Sequence, residues 1–199
     1  MSKVTNKKTN PWVLTTERLV IAAVLAAITI LLGVVPGIGF IPLPTAVGNA
    51  TTEHIPTILG GVLAGPVVGI FTGLIFGLTS FLHANSPLFK DPTVAILPRL
   101  FIGLVAWAVF AALARFNRDV AAALAGFLGS VTNTVLVVFM IVFVRHLLPP
   151  VFIITVIPQA IGEAVVAAIF TVLLTRAFTI IQGRYIKAPE TRARDELPY

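Results

Sequence analysis

The chain alternates long uncharged stretches with short charged breaks. Residues 19–52, 54–89, 100–114, 120–144, 146–162 and 164–175 hold no Asp, Glu, Lys or Arg. A helix needs about 20 mostly apolar residues to cross the roughly 30 Å hydrocarbon layer of a bilayer. The first span reads Leu19 to Val35, entered from Glu17-Arg18 and stopped by Pro36-Gly37. The stretch from Ile55 to Leu82 is long for one helix and short for two. Gly65-Pro66 in its middle is a turn signal. It predicts a tight hairpin of two short helices, 55–64 and 67–82, with one long kinked helix as the rival. The fourth span is predicted from Ile96 to Ala114, the fifth from Val120 to Val144 and the sixth from Pro158 to Ile181, with Pro158 in a first helical turn. The pattern therefore predicts an all-α integral membrane protein. It is a single domain over residues 1–199, a compact bundle of six transmembrane helices with an arm at 1–17 and a tail at 183–199.

Composition supports the spans. Hydrophobic residues make up 57% and charged residues 11%, against about 25% charged in a soluble domain. That excludes an ordinary cytosolic enzyme, and a disordered chain as well. The absence of cysteine excludes a disulfide framework, a thiolate metal site and a cysteine nucleophile.

The net charge of +6 is explained by its placement. Lys3, Lys7, Lys8, Arg18, Arg115, Arg118, Arg176, Arg184, Lys187, Arg192 and Arg194 fall on the side of the termini, 11 of the 14 basic residues. Lys90, Arg99 and Arg145 remain opposite. Cytoplasmic loops carry excess Lys and Arg, so both termini are expected in the cytoplasm. The basic excess then belongs to topology and to anionic membrane lipid, not to nucleic acid. The first apolar run exceeds a signal-peptide core and lacks a clean cleavage site, so it reads as a retained span. No internal repeat is evident, and an inverted-repeat transporter is not supported.

Two small-residue patterns stand out. Gly61, Gly65, Gly69, Gly73 and Gly77 recur every four residues. Such spacing lets helix backbones approach closely in lipid. Because the repeat passes through the Gly65-Pro66 turn, it is expected to serve two interfaces. On the first helix, Ala22/Ala26 and Ala23/Ala27 form i,i+4 pairs. They read either as internal packing or as a flat patch for a partner helix.

Polar residues gather at the side opposite the termini. Ionisable groups in or near a bilayer are costly and mark function or pairing. The candidate ligand-binding residues are Asn49, Thr52, Glu53 and His54 at the entry to the second helix, and His83 and Asn85 in the next outer loop. Arg99 follows at the head of the fourth helix, Asn133 within the fifth, and Gln159 and Glu163 at the start of the sixth. Asp91 is an outer charge of the same kind. Each has a structural alternative. Arg99 would snorkel to headgroups, Glu163 would pair with Arg99 or Arg145, Glu53-His54 would cap the second helix, and Asn133 would bond a neighbouring helix. Asn49-Ala-Thr51 matches a glycosylation sequon without a secretory context.

Catalytic chemistry finds little purchase. His54, His83 and His146 lie in different outer loops without metal-ligand spacing, and no nucleophile elbow or phosphate loop is present. No catalytic residue, metal or cofactor is expected. An intramembrane hydrolase using Glu163 and a histidine, and a ligand-free assembly subunit, are the competing readings.

The motifs carry a resemblance. His54-Ile-Pro, Gly60-Gly-Val-Leu-Ala-Gly-Pro66 and Gly69-Ile-Phe-Thr-Gly-Leu-Ile-Phe-Gly-Leu-Thr-Ser80 resemble a hairpin signature. It is that of the substrate-binding S component of energy-coupling factor (ECF) vitamin transporters. Pro98-Arg-Leu-Phe-Ile-Gly103 resembles that family's second marker. The resemblance implies a multi-pass protein of a prokaryotic cell membrane that binds a water-soluble vitamin from outside. A lid between the first two helices would cover the vitamin. The partners it implies are a transmembrane coupling subunit of the EcfT type and, through it, two ATPase subunits whose ATP hydrolysis drives toppling. It also implies docking through the Ala22, Ala23, Ala26 and Ala27 patch. The motif flavour looks most like the pantothenate branch, with Arg99 or His54 meeting the carboxylate by a charge-assisted hydrogen bond. The outer loops hold few aromatics, Phe40, Phe81 and Phe89 among them, where a riboflavin or thiamine pocket would be expected to show more stacking residues. Cobalamin, folate and other small nutrients stay open.

Overall fold

A computed structural model describes residues 10–35, 38–42, 49–84 and 86–185. Helix α1 spans Thr16–Val34 and starts where the Thr15 hydroxyl accepts the Arg18 N–H. Glu17 in its first turn suits the helix dipole. The stop at Pro36-Gly37 lies outside the described residues. Two short strands follow, β1 (Phe40–Pro42) and β2 (Asn49–Thr51), paired antiparallel with Phe40 opposite Thr51. This small ladder is the exception to the all-helical expectation. A bond from the Thr52 N–H to the Gly39 carbonyl, 2.9 Å, extends it.

The expected hairpin is present. Helix α2 (His54–Leu59) runs on through a wider turn, Gly60–Ala64. Gly65 reverses the chain at φ +98°, a conformation that glycine adopts without penalty. Helix α3 (Pro66–Leu82) then starts with proline in its first turn. A short 3₁₀ turn, Pro87–Lys90, and a one-turn helix α4 (Pro92–Ala95) lead into α5 (Leu97–Leu113). Asn117 caps α6 (Arg118–Phe139) by accepting the N–H groups of Asp119 and Val120, and α6 runs on through Met140–Val144.

The last helix, α7, is Phe152–Tyr185. It starts well before Pro158, which lies inside it and not in its first turn. Packing explains the early start. Phe152 and Val156 are buried against Val137, Ile141 and Val142, near the end of α6. The helix also runs past residue 183, where the tail was expected to begin.

Helix α2 is the axis of the bundle, and all six of its residues are buried. Its Ile58 joins Phe76, Ile102, Ala106, Ala125 and Ala167, from four other helices, in the main core. The glycine repeat faces α5 almost throughout, not two partners. A Cβ on Gly61 would strike the Gly103 carbonyl, one on Gly69 would come 2.9 Å from Gly103 Cα, and one on Gly73 would strike the Arg99 carbonyl. Gly77 meets Ile96 and Ala95 just before α5, and Gly65 turns to the carbonyl of Pro11, at 2.8 Å.

Several buried hydroxyls are satisfied within their own helices, while those of Thr57, Ser130 and Thr175 have no partner among the described residues. Thr29, Thr72 and Thr171 donate to carbonyls one turn back at 2.7–2.9 Å, as an interior without water requires. Among the described residues, four helices are long and apolar enough to cross a membrane, and His54–Ala64 and Pro66–Leu82 are shorter apolar helices. Their outward faces carry Leu19, Val24, Leu31, Phe101, Val135, Ile161 and Leu173, all exposed. Such continuous apolar surface suits hydrocarbon, not water.

The alanine pairs on α1 separate. Ala22 and Ala26 are buried, with Ala22 packed near Ala64 and Val68. Ala23 and Ala27 are exposed. The helix turns Ala22 and Ala26 inward to fill its contact with the hairpin, which leaves Ala23 and Ala27 as the outward pair.

Backbone contact at Gly69 and Gly103 leaves no room for a side chain. Gly103→Leu is expected to destabilise the protein by at least about 2 kcal/mol, or to prevent folding, through overpacking. Gly162, whose Cβ would meet nothing within 4 Å, is the control. Gly162→Ala should leave the thermal midpoint in detergent unchanged or raised, since alanine is the better helix former.

Candidate functional site

At the end of the bundle that carries the strand ladder, a pocket opens between the helices. Thr51 of β2, Phe76 and Ser80 of α3, His83, Ala84, Ser86 and Phe89 of the segment after α3, Arg99 of α5, Asn133, Thr134, Val137 and Val138 of α6, and Val156 and Glu163 of α7 line it. Most of the wall is apolar, and a few polar groups point inward from different elements, the usual make-up of a small-molecule site.

Arg99 is the central charge. It is 3% exposed, so it does not snorkel to headgroups. Its guanidinium lies 5.2 Å from the Phe76 ring centre and 4.9 Å from that of Phe89. The two rings hold it by cation–π attraction. One terminal nitrogen donates to the Val94 carbonyl at 2.6 Å, and Nε has no hydrogen-bond partner among the described residues. A buried cation with unfilled donors is prepared for an anion.

Glu163 sits about three turns into α7. Its Oε1 accepts the Thr51 backbone N–H at 3.0 Å and the Gln159 amide at 3.0 Å. The alternative pairing with Arg145 does not form, because Arg145 bonds Asp91 instead. Asn133 is buried on α6, its carbonyl oxygen unbonded among the described residues. His83 lies on the rim.

The other candidates stand apart from the pocket wall. Glu53 is wholly buried, and neither of its oxygens has a hydrogen-bond partner among the described residues. Its carboxylate lies against Gly33, with Arg99 the opposite charge acting on it. Its side chain does not cap α2. His54 is buried too, inside the bundle axis. Both turn inward because α2 is enclosed on every side. Thr52 donates to Gly39, Gln159 supports Glu163, and Asp91 is taken up by Thr93 and Arg145. The Asn49 side chain and Asn85 lie outside the described residues.

Sequence reasoning missed Thr51, Phe76, Ser80, Ser86 and the Val137–Val138 wall. Phe76 and Ser80 lie one turn apart on the face of α3 that ends at the outer loop, a spacing that could have indicated them.

A family model described as the ECF transporter substrate-specific component matches residues 17–175. The chain belongs to that family. It is a transporter component and not an enzyme. A pantothenic acid transporter, PanT, of Lactococcus lactis subsp. cremoris is 31% identical over 109 residues, 44% of this chain and 53% of that protein. A pantothenate transporter, PanT, of Leuconostoc mesenteroides is 30% identical over 99 residues, 45% of this chain and 48% of that protein. The chain thus spans about half the length of the curated relatives it matches. A solved structure described as the S component of a bacterial ECF transporter superposes with a TM-score of 0.61 at 20% identity, covering 84% of this chain and 98% of that one. It shares the fold.

Outside the helices, Asp91 ties the loop before α4 to the loop after α6. Hydrogen bonds from Thr93 first, and then Arg145, hold its carboxyl below the ordinary aspartate range. A depressed carboxylate stabilises the fold above its ordinary pKa near 4, and that contribution is lost as pH falls through the lowered value. The thermal midpoint of the wild type is expected to drop below about pH 4, and Asp91→Asn should show a flatter acid limb in the same melting series.

Proposed function

We propose that this S component binds pantothenate from outside the cell for ATP-driven uptake. The observation that carries the reading is Arg99, a guanidinium buried between two phenyl rings on a largely apolar pocket wall. Pantothenate supplies one carboxylate for it, an amide for Asn133, and hydroxyls for the polar groups opposite. The motif resemblance and the two pantothenate transporters among its relatives support the same vitamin. Pocket aromatics are confined to Phe76 and Phe89 among the described residues, which suits a flexible aliphatic ligand better than a flat ring system.

In this reading the four long helices and the α2–α3 hairpin make six crossings of a prokaryotic cell membrane, with both termini cytoplasmic. The basic residues near the termini support that orientation. Loading is followed by docking on a membrane coupling subunit of the EcfT type, and toppling is driven by the two ATPases bound to it. Ala23 and Ala27, on the outward face of α1, form the docking contact.

Two outcomes follow. Calorimetry against a vitamin panel should show 1:1 binding of pantothenate, weakened by about a hundredfold in Arg99→Gln by loss of a charge-assisted bond. Binding of no panel member would end the reading. Ala23→Trp or Ala27→Trp should abolish uptake in cells while leaving pantothenate affinity unchanged. Normal uptake by both would remove the docking face.

A further inference from the structure

Glu163 is bonded in a way that ligand binding alone does not require. One oxygen, Oε1, holds both the Thr51 N–H and the Gln159 amide, each at 3.0 Å. Thr51 closes the strand ladder, and its hydroxyl accepts the Glu53 N–H at 3.2 Å. The tie therefore joins α7 to the end of the segment that connects α1 to α2. The other oxygen, Oε2, carries no hydrogen bond among the described residues and is absent from the fully buried unbonded atoms, while Glu163 lines the pocket.

The charges give the pocket two poles. Arg99 enters it from α5 and Glu163 from α7. A ligand with anionic groups at both ends would set one of them against Glu163, where like charges in a poorly solvated site repel strongly. A monoanion with hydrogen-bond donors at its far end satisfies both poles.

We propose that Glu163 is a positioning and specificity-determining residue. Oε1 fastens the strand at the pocket mouth, and Oε2 accepts a hydroxyl or amide donor from the uncharged end of a monoanionic ligand. The ligand half rests on the pantothenate reading, and the strand tie does not. Recognition of the far end and anchoring of the Thr51 strand end then share one carboxylate.

Both halves are tested on the full chain in detergent. Hydrogen exchange of the Thr51 amide, without ligand, reads the tie. Glu163→Leu should speed it by at least about tenfold, and Glu163→Gln, whose amide oxygen still accepts, should keep it within about threefold. Glu163→Met replaces Leu if that variant does not fold. Unchanged exchange in the apolar variant overturns the tie. The ligand half is read by calorimetry with pantothenate and with an N-acyl-β-alanine analogue lacking both hydroxyls. The wild type should prefer pantothenate by about tenfold or more, and Glu163→Gln should lose most of that preference with little change for the analogue. An equal loss for both compounds overturns the ligand half. If the wild type binds neither compound, the vitamin assignment fails and takes the ligand half with it, while the exchange result still decides the tie.

Discussion

The close approach of the α2–α3 hairpin to α5 is the constraint on which the rest of the structure depends. Gly61, Gly69 and Gly73 present bare backbone to α5, and Gly103 returns it. In hydrocarbon, burial of apolar side chains drives no association between helices, so contact area and fit must do so. The same contact seats the chemistry. The Arg99 carbonyl rests on Gly73, one turn from Gly103, and from there its side chain passes between Phe76 and Phe89. A bulkier residue along the glycine face would move the charge as well as weaken the fold.

Electrostatics then divides the pocket end of the bundle into groups used by the fold and groups left open. Asp91 is consumed by Arg145 and Thr93, and Asp119 by Arg176 at the other end. Glu53 remains behind the pocket, buried, acting on Arg99 through charge and not through contact. Arg99 and Glu163 are the pair that face the cavity. A wall of valines around them keeps their field strong. In the proposed reading, these two groups favour a small charged nutrient over an oily one.

Much of this was legible in the sequence. The uncharged runs located the helices, Gly65-Pro66 located the hairpin turn, and the Pro-Arg motif marked Arg99. The differences between sequence pattern and structure share a physical origin. Sequence order shows that a residue lies near a helix end but not which way the helix is rotated. Glu53 and His54 were expected to face the ligand and instead point into the axis of the bundle. Ala22 and Ala26 match the same small-residue spacing as Ala23 and Ala27, yet a rotation of about 100° per residue buries one pair and exposes the other. The glycine repeat was read as two interfaces because it crosses a turn, but a hairpin folded against one helix shows the same face on both arms. Pro158 was taken as a helix start, where burial of Phe152 and Val156 extends the helix past it. The Thr51 tie to Glu163 spans 112 residues and leaves no local trace.

The central claim is that a buried arginine in this bundle holds the carboxylate of pantothenate. Native mass spectrometry of the protein extracted gently from membranes, beside its Arg99→Gln variant, tests it most directly. The expected result is one pantothenate retained per wild-type chain and none on the variant. A cationic or uncharged ligand on the wild type, or equal retention of pantothenate by the variant, would contradict it.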